Sequence, residues 1–302
     1  MNGRKKLFPV FLSLALVACA GPAAAPTATS PALAAATPAA PGTDTPAPTA
    51  EPELAARVNG EGLRLDVYAA HLAQFQAALV EFPDLLGPDE TASGRVLADL
   101  TDHLLLAQAA RAAGFSADAA LVDQRLAALA DNAGGQAALD AWAAANGYTA
   151  ASLRADLAIQ IESAWMRDQI AAGVPETAEQ IEAHQLFSFD SFTVSRLYNQ
   201  LENGTPFAQV RENNDPQNLG YLGWFPRGYL IFPALEEAVF SLQPGQYTAV
   251  LETEAGYHVI YVLNREPDRP LSPDARLTLQ EIALAAWLAQ ARAQSQIEIY
   301  VP

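Results

Sequence analysis

The chain has 302 residues, 34 acidic side chains against 17 basic ones, a formal net charge of −17 and a single cysteine. That charge excludes a phosphate-backbone binder, which needs a basic footprint, and argues against direct adsorption to an anionic lipid surface. One cysteine permits no internal disulfide. The N-terminus opens with Arg4, Lys5 and Lys6, followed by an uncharged apolar run over 7–18. The run is too short to span a bilayer and has the length of a signal-peptide core. From 20 to 52 the chain is almost entirely Ala, Pro, Thr, Gly and Ser. Such a segment has nothing large to bury and reads as a Pro-stiffened tether.

The roughly 250 residues that remain are enough for two modest domains. Arg57-Val58-Asn59-Gly60-Glu61-Gly62-Leu63 reads as a short β-hairpin, because Asn-Gly supplies positive φ at little cost. An Ala-rich series of amphipathic helices follows. The first puts Val67, Leu72, Phe75, Leu79 and Phe82 on one face and stops at Pro83. The second carries Val96, Leu97, Leu100, Leu104 and Ala107 and ends near Gly114. The third covers about 117–130. The fourth covers about 136–145 and stops at Asn146-Gly147. The fifth begins after Thr149 and turns Leu153, Leu157, Ile161, Ala164 and Trp165 inward.

After Val174-Pro175 the character changes. Thr177-Ala178-Glu179-Gln180 reads as a capping box opening a short helix. Residues 185–189 alternate like a strand. Helices are predicted over 191–201, 206–211 and 233–242, and strands over 247–252 and 257–263 joined at Glu254-Ala255-Gly256. This order describes a small α+β unit with an antiparallel sheet. A last helix over about 274–294 and a possible strand over 297–301 are expected to pack back on the N-terminal helices.

Two sets of residues resemble known patterns. Leu16-Val17-Ala18-Cys19 resembles a bacterial lipobox, which implies cleavage before Cys19, lipid on that residue and attachment to the membrane through it. The stretches Gly204-Thr205-Pro206-Phe207, Gly220-Tyr221-Leu222-Gly223-Trp224-Phe225, Glu236-Glu237-Ala238-Val239-Phe240-Ser241-Leu242, Pro244-Gly245 and Gly256-Tyr257-His258-Val259-Ile260 resemble the parvulin-type (PpiC-type) peptidyl-prolyl isomerase domain. The helical part, entered through Ala56-Arg57-Val58-Asn59-Gly60 and carrying Asn146-Gly147-Tyr148-Thr149, is similar to the N-terminal domain of SurA-like and PrsA-like chaperones. The resemblance implies an α+β protein divided into a signal peptide (1–18), a tether (19–52), a helical chaperone-like domain (53–176), a parvulin-like domain (177–265) and a C-terminal helix and strand (266–302).

It also implies site residues. His258 matches the histidine near the end of the sheet, Asp215 the Cys/Asp position, and Leu230 the Met/Leu of the proline pocket. The second family histidine is Gln185 here, while His184 would point to the opposite face. The pocket Phe appears as Leu235, with one extra residue before it, and Phe232 as a compensating side chain. The loop between Asp215 and Gly220 is shorter than the family's.

Such an enzyme needs no cofactor or metal. It has only to favour the twisted amide over the planar one, across a barrier of about 18–20 kcal/mol. His71, His103, His184 and His258 show no metal-ligand spacing, and no phosphate loop, nucleophile elbow or dinucleotide fingerprint is present. The expected partners are unfolded exported polypeptides with X-Pro bonds, outside the cytoplasm. The alternative is a holdase whose isomerase unit is weak or silent. A solute-binding lipoprotein is disfavoured by the lack of alternating βαβ units.

Overall fold

The computed structural model describes residues 53–215 and 217–302. The expected signal peptide, the tether and the Cys19 lipidation site lie outside the described residues.

Strands β1 (Leu54–Val58) and β2 (Glu61–Arg64) form the expected antiparallel hairpin. Asn59 and Gly60, at φ 52° and 85°, make the two-residue turn, a geometry that matches strand twist. Helices α1 (Leu65–Glu81), α2 (Ala92–Ala112), α3 (Ala119–Ala133), α4 (Gln136–Ala145) and α5 (Ala150–Ala172) follow. Their starts are chemically marked. Thr91 accepts from the Gly94 amide and Asp118 from that of Leu121, while Thr149 and Ser152 form a reciprocal capping box. The core of the bundle includes Val67, Phe75, Val96, Leu97, Leu100 and Tyr148. Phe82 does not join it and is 59% exposed. Helix α1 stops one residue earlier, and Phe82 leaves helical geometry at φ −130° before Pro83 turns the chain outward. Buried Asp156 is kept soluble in this core by Tyr148 (3.1 Å), Gln160 (3.0 Å) and His71 (2.9 Å).

The remaining elements are β3 (Thr177–Ser188), α6 (Ser191–Glu202), α7 (Phe207–Asn214), β4 (Tyr221–Pro226), α8 (Pro233–Phe240), β5 (Leu251–Thr253), β6 (Gly256–Pro270), α9 (Pro273–Gln294) and β7 (Ile297–Ile299). A four-stranded antiparallel sheet runs in the order β4-β3-β6-β5. The expected helix at Thr177 is instead the start of β3. Strand β6 holds it from Thr177 onward and β4 from Gln180 onward, and Gln180, read as the closing residue of a capping box, donates to the carbonyls of Arg269 and Pro270. Long-range pairing has overridden a local helix signal. The strand expected over 247–252 is reduced to β5 preceded by a single bridge at Tyr247. There the Thr248 hydroxyl accepts from the Ile260 amide, so a side chain replaces a carbonyl in the ladder.

Period-two alternation sorts the sheet into two faces. Ile181, Ala183, Ile260 and Val262 pack with Phe225 and with Leu235, Val239 and Phe240 of α8. Leu186 and Val259 pack on the other face with Val194, Leu197 and Leu201 of α6 and with Phe207 and Val210 of α7. The C-terminal tail returns to the helical part. Strand β7 pairs with β1, and Trp287 and Ala291 of α9 pack on Leu104 and Leu105 of α2. Helix α9 also touches the β4–α8 loop: a Cβ added to Gly228 would lie 3.1 Å from Leu279 and 3.3 Å from Ile282. Among the described residues no helix is long and apolar enough to cross a membrane.

Candidate functional site

On the α8 face of the sheet, an apolar hollow of about 360 Å³ opens between the strands and the β4–α8 loop. That volume lies at the small end of the roughly 300–1,000 Å³ range of ligand pockets. Leu222, Leu230, Phe232 and Leu235 form its greasy wall, and Gln185 and His258 stand across from them. The wall is held by Glu236. Its carboxylate accepts from the Gly228 amide at 2.7 Å and from the Leu230 amide at 3.3 Å, fixing the loop that carries the apolar side chains. At the first turn of α8 the carboxylate also faces the positive end of the helix dipole.

The polar edge is a short chain of three side chains. Gln185 on β3 and His258 on β6 point to the same face, and His258 Nδ1 lies 3.0 Å from Gln185 Oε1. His258 Nε2 lies 2.9 Å from the Thr253 hydroxyl. An amide oxygen only accepts, so the Gln185 oxygen favours the proton on Nδ1, while Nε2 faces the Thr253 hydroxyl, whose one proton is shared between Nε2 and the Gly256 carbonyl at 3.3 Å. Burial pushes the His258 pKa below its ordinary value, which favours the neutral ring. Thr253 in turn accepts from the Ala255 amide at 3.1 Å, tying the imidazole to the β5–β6 turn. Thr253 was not singled out from the sequence. Its place two residues before the Ala255-Gly256 turn, with His258 just beyond it, is the one local signal that could have pointed to it.

Of the six side chains proposed for the site, the structure brings together Gln185, His258, Leu230, Phe232 and Leu235. Asp215 is elsewhere. Its carboxylate accepts from the Leu219 and Gly220 amides, both at 2.8 Å, and lies 3.3 Å from Nε2 of His184. His184 points away from the hollow, against Phe207 of α7. Burial works against ionisation of Asp215, but the Gly220 and Leu219 amides, with His184 and Arg211 nearby, hold its carboxyl below the ordinary range. Burial lowers the His184 pKa as well, only partly offset by Asn218 and Asp215. Asp215 therefore shapes the shortened loop into β4 rather than lining the hollow. The close approach that this requires is visible at Gly220, where an added Cβ would fall 2.1 Å from the Gln185 carbonyl oxygen.

Comparison with known proteins gives a consistent picture. Residues 191–264 match the family described as "Rotamase: PPIC-type PPIASE domain". The foldase protein PrsA of Geobacillus sp. (strain WCH70) is 28% identical over 123 residues, which is 39% of this chain and 44% of that protein. The chaperone SurA of Burkholderia orbicola (strain AU 1054) is 33% identical over 114 residues, 34% of this chain and 25% of that protein. The chain thus spans less than half the length of these relatives. A crystal structure of the peptidylprolyl isomerase PrsA from Bacillus anthracis superposes with a TM-score of 0.43 at 18% identity, covering 66% of this chain and 96% of that one. Residues 191–264 thus match a PpiC-type rotamase domain, in a chain similar over part of its length to PrsA and SurA.

Proposed function

We propose that the hollow binds the proline of an X-Pro bond in a client polypeptide and catalyses its cis–trans isomerisation. The observation that carries this reading is one hollow lined both by an apolar wall, Leu230, Phe232 and Leu235, and by a His258 bonded to Gln185. The prolyl ring is gripped by the wall, and the amide turns against the polar edge. Gln185 spends its oxygen on His258 and keeps its amide N–H groups for the rotating carbonyl oxygen. Such fixed dipoles favour the unconjugated amide over the planar one. No bond is made or broken, so a glutamine can stand where relatives of this domain carry a second histidine. Asp215 acts at one remove, by holding the loop that leads into β4.

The division into a helical domain over 53–176, an isomerase domain over 177–265 and a returning tail over 266–302 belongs to the same reading. So does attachment to the extracytoplasmic face of the membrane through lipid on Cys19. PrsA is named as a foldase and SurA as a chaperone, and the clients proposed here are partly folded exported chains. The test is a proline-peptide isomerisation assay on the purified full chain, with Leu230→Ala and His258→Ala beside it. Turnover that drops at least about tenfold in both variants, or about 1.4 kcal/mol of transition-state stabilisation, is expected. No turnover by the unaltered chain removes the enzymatic reading. A second reading, a holdase with a silent hollow, is favoured by the presence of Gln185 in place of the imidazole. It predicts suppressed aggregation of an unfolded client without turnover.

A further inference from the structure

On the isomerase reading of the hollow, we propose that Leu279 and Ile282 of α9 are positioning residues for the reaction: they brace the β4–α8 loop at Gly228 and so hold the wall that grips the prolyl ring.

Gly228 stands immediately before Tyr229, Leu230, Ile231 and Phe232, and all four line the hollow. Its position therefore sets where the wall begins. Gly228 adopts φ 86°, the left-handed region that glycine enters at least cost, and carries no side chain to keep neighbours away. A Cβ there would fall 3.1 Å from Leu279 Cδ2 and 3.3 Å from Ile282 Cδ1, so the two methyl groups lie close against the loop backbone. On the side of α8 the same residue is tied by its amide to Glu236 at 2.7 Å, and the preceding Arg227 guanidinium lies 4.3 Å from the centre of the Phe240 ring. A hydrogen bond fixes a distance but leaves a swing about it. Methyl groups packed against the same residue stop the swing, and a site holds its geometry when its supports are locked in this way.

The brace is itself anchored. Gln280 donates to the Ala171 carbonyl of α5 at 3.2 Å, Trp287 and Ala291 pack on Leu104 and Leu105 of α2, and Arg292 pairs with Asp102. Helical spacing puts Gln280, Trp287 and Ala291 along one face of α9, while Leu279 and Ile282, three residues apart, form a separate stripe. One helix thus bears on the helical part with one face and on Gly228 with another. Leu279 and Ile282 lie outside 191–264, the stretch matched to the rotamase family, so the wall is supported from beyond that domain.

The consequence falls on binding. The wall grips the ring alike in the planar and the twisted amide. A wall that can shift weakens both states together, which raises KM and leaves kcat nearly unchanged. A misplacement of about 1 Å is costly even when its cause is remote from the chemistry.

The experiment uses the full chain. Leu279→Ala combined with Ile282→Ala is compared with the conservative pair Leu279→Met and Ile282→Val, and with Leu277→Ala at an exposed position of the same helix. For a short proline peptide, kcat and KM are measured by isomerisation and Kd by fluorescence polarisation. Methyl NMR of the ligand-free chain reports on Leu230 and Ile231. In the Ala pair KM and Kd are expected to rise about tenfold while kcat stays within about twofold. The Met and Val pair should restore most of the affinity, and Leu277→Ala should change neither constant. The Leu230 and Ile231 methyl resonances should move in the Ala pair, while those of Leu186, on the other face of the sheet, stay in place. If the Ala pair fails to fold, Ile282→Ala alone, at a position 44% exposed, carries the same comparison. Lower thermal stability with KM and the Leu230 methyls unmoved overturns the brace, since a merely structural contact predicts that result. Absence of turnover and of peptide binding in every chain sinks the isomerase reading alone, because the Leu230 and Ile231 methyls still decide whether α9 holds the wall.

Discussion

The bond between Thr253 and His258 makes a sharp test of the polar edge. Thr253→Val keeps the shape of the side chain and removes its hydroxyl. His258 is only 4% exposed, so Nε2, which lies 2.9 Å from the Thr253 hydroxyl, is left without a partner in a place where water has little access. Stranding one buried polar atom costs about 1–3 kcal/mol. The Ala255 amide also loses its acceptor, but it sits at a turn where solvent can take over. A net loss of about 2 kcal/mol is expected, roughly a 30-fold fall in the folded-to-unfolded ratio. Thr253→Ser, which keeps the hydroxyl, should stay within about 0.5 kcal/mol of the unaltered chain. Urea denaturation of the three proteins gives the energies. Nitrogen chemical shifts of the imidazole give the tautomer, which should remain Nδ1-protonated in the unaltered chain and in the Ser variant and become mixed in the Val variant. Turnover should fall about tenfold in the Val variant. Equal stability and equal tautomer in the Val and Ser variants would refute the reasoning, because Thr253 would then hold nothing in place.

Two further outcomes follow from the packing. Gly220→Ala places a methyl group 2.1 Å from a backbone oxygen and also disturbs the 2.7 Å bond from the Gln185 amide to the Gly220 carbonyl; a loss of about 3 kcal/mol or more is expected by thermal denaturation, and a loss below about 1 kcal/mol would mean that the approach is loose. His103 is held down to a pKa of about 4, chiefly by burial. Its unfolded value is near 6.5, so between those values the unfolded chain binds the extra proton. Stability should therefore fall as pH drops from about 6.5 toward 4, by up to about 3 kcal/mol for this one group. Burial lowers His184 and His258 as well and adds to the slope, while it raises Asp99 and Asp102, which act in the opposite sense. The difference between the unaltered chain and His103→Gln isolates the contribution, and parallel stability-versus-pH curves would show that His103 carries none of it.

Much of this was legible in the sequence wherever a signal is local. Asn59-Gly60 specifies its hairpin from two residues, and Thr149-Ala150-Ala151-Ser152 marks a helix start. The alternation of His258, Ile260 and Val262 against Val259 and Tyr261 gives the two faces of β6. The failures share a cause. Thr177-Ala178-Glu179-Gln180 carries the residues of a helix cap, yet β4 and β6 compete for the same backbone, and nothing within those four residues reports their presence. The pairing of His258 with Thr253 depends on the register across a turn. The separation of Asp215 from the hollow depends on how a shortened loop enters β4, where the β3–β4 ladder carries a bulge between Ala183 and His184. Strand registers and irregularities of this kind are set by partners far along the chain.

The pairing of β1 with β7 has a consequence for how the molecule is made. Arg57 lies opposite Glu298, so β1 must wait, on a chain synthesised from its N-terminus, for a partner that emerges only after the whole of 177–270. The segment from Thr177 to Pro270 closes its own sheet from sequence neighbours and can finish earlier. A nascent chain would hold a completed hollow while its opening strand still lacks an edge partner. Truncations that spare 177–270 but remove the residues of β7 should then leave an intact hollow attached to an open, adhesive helical body.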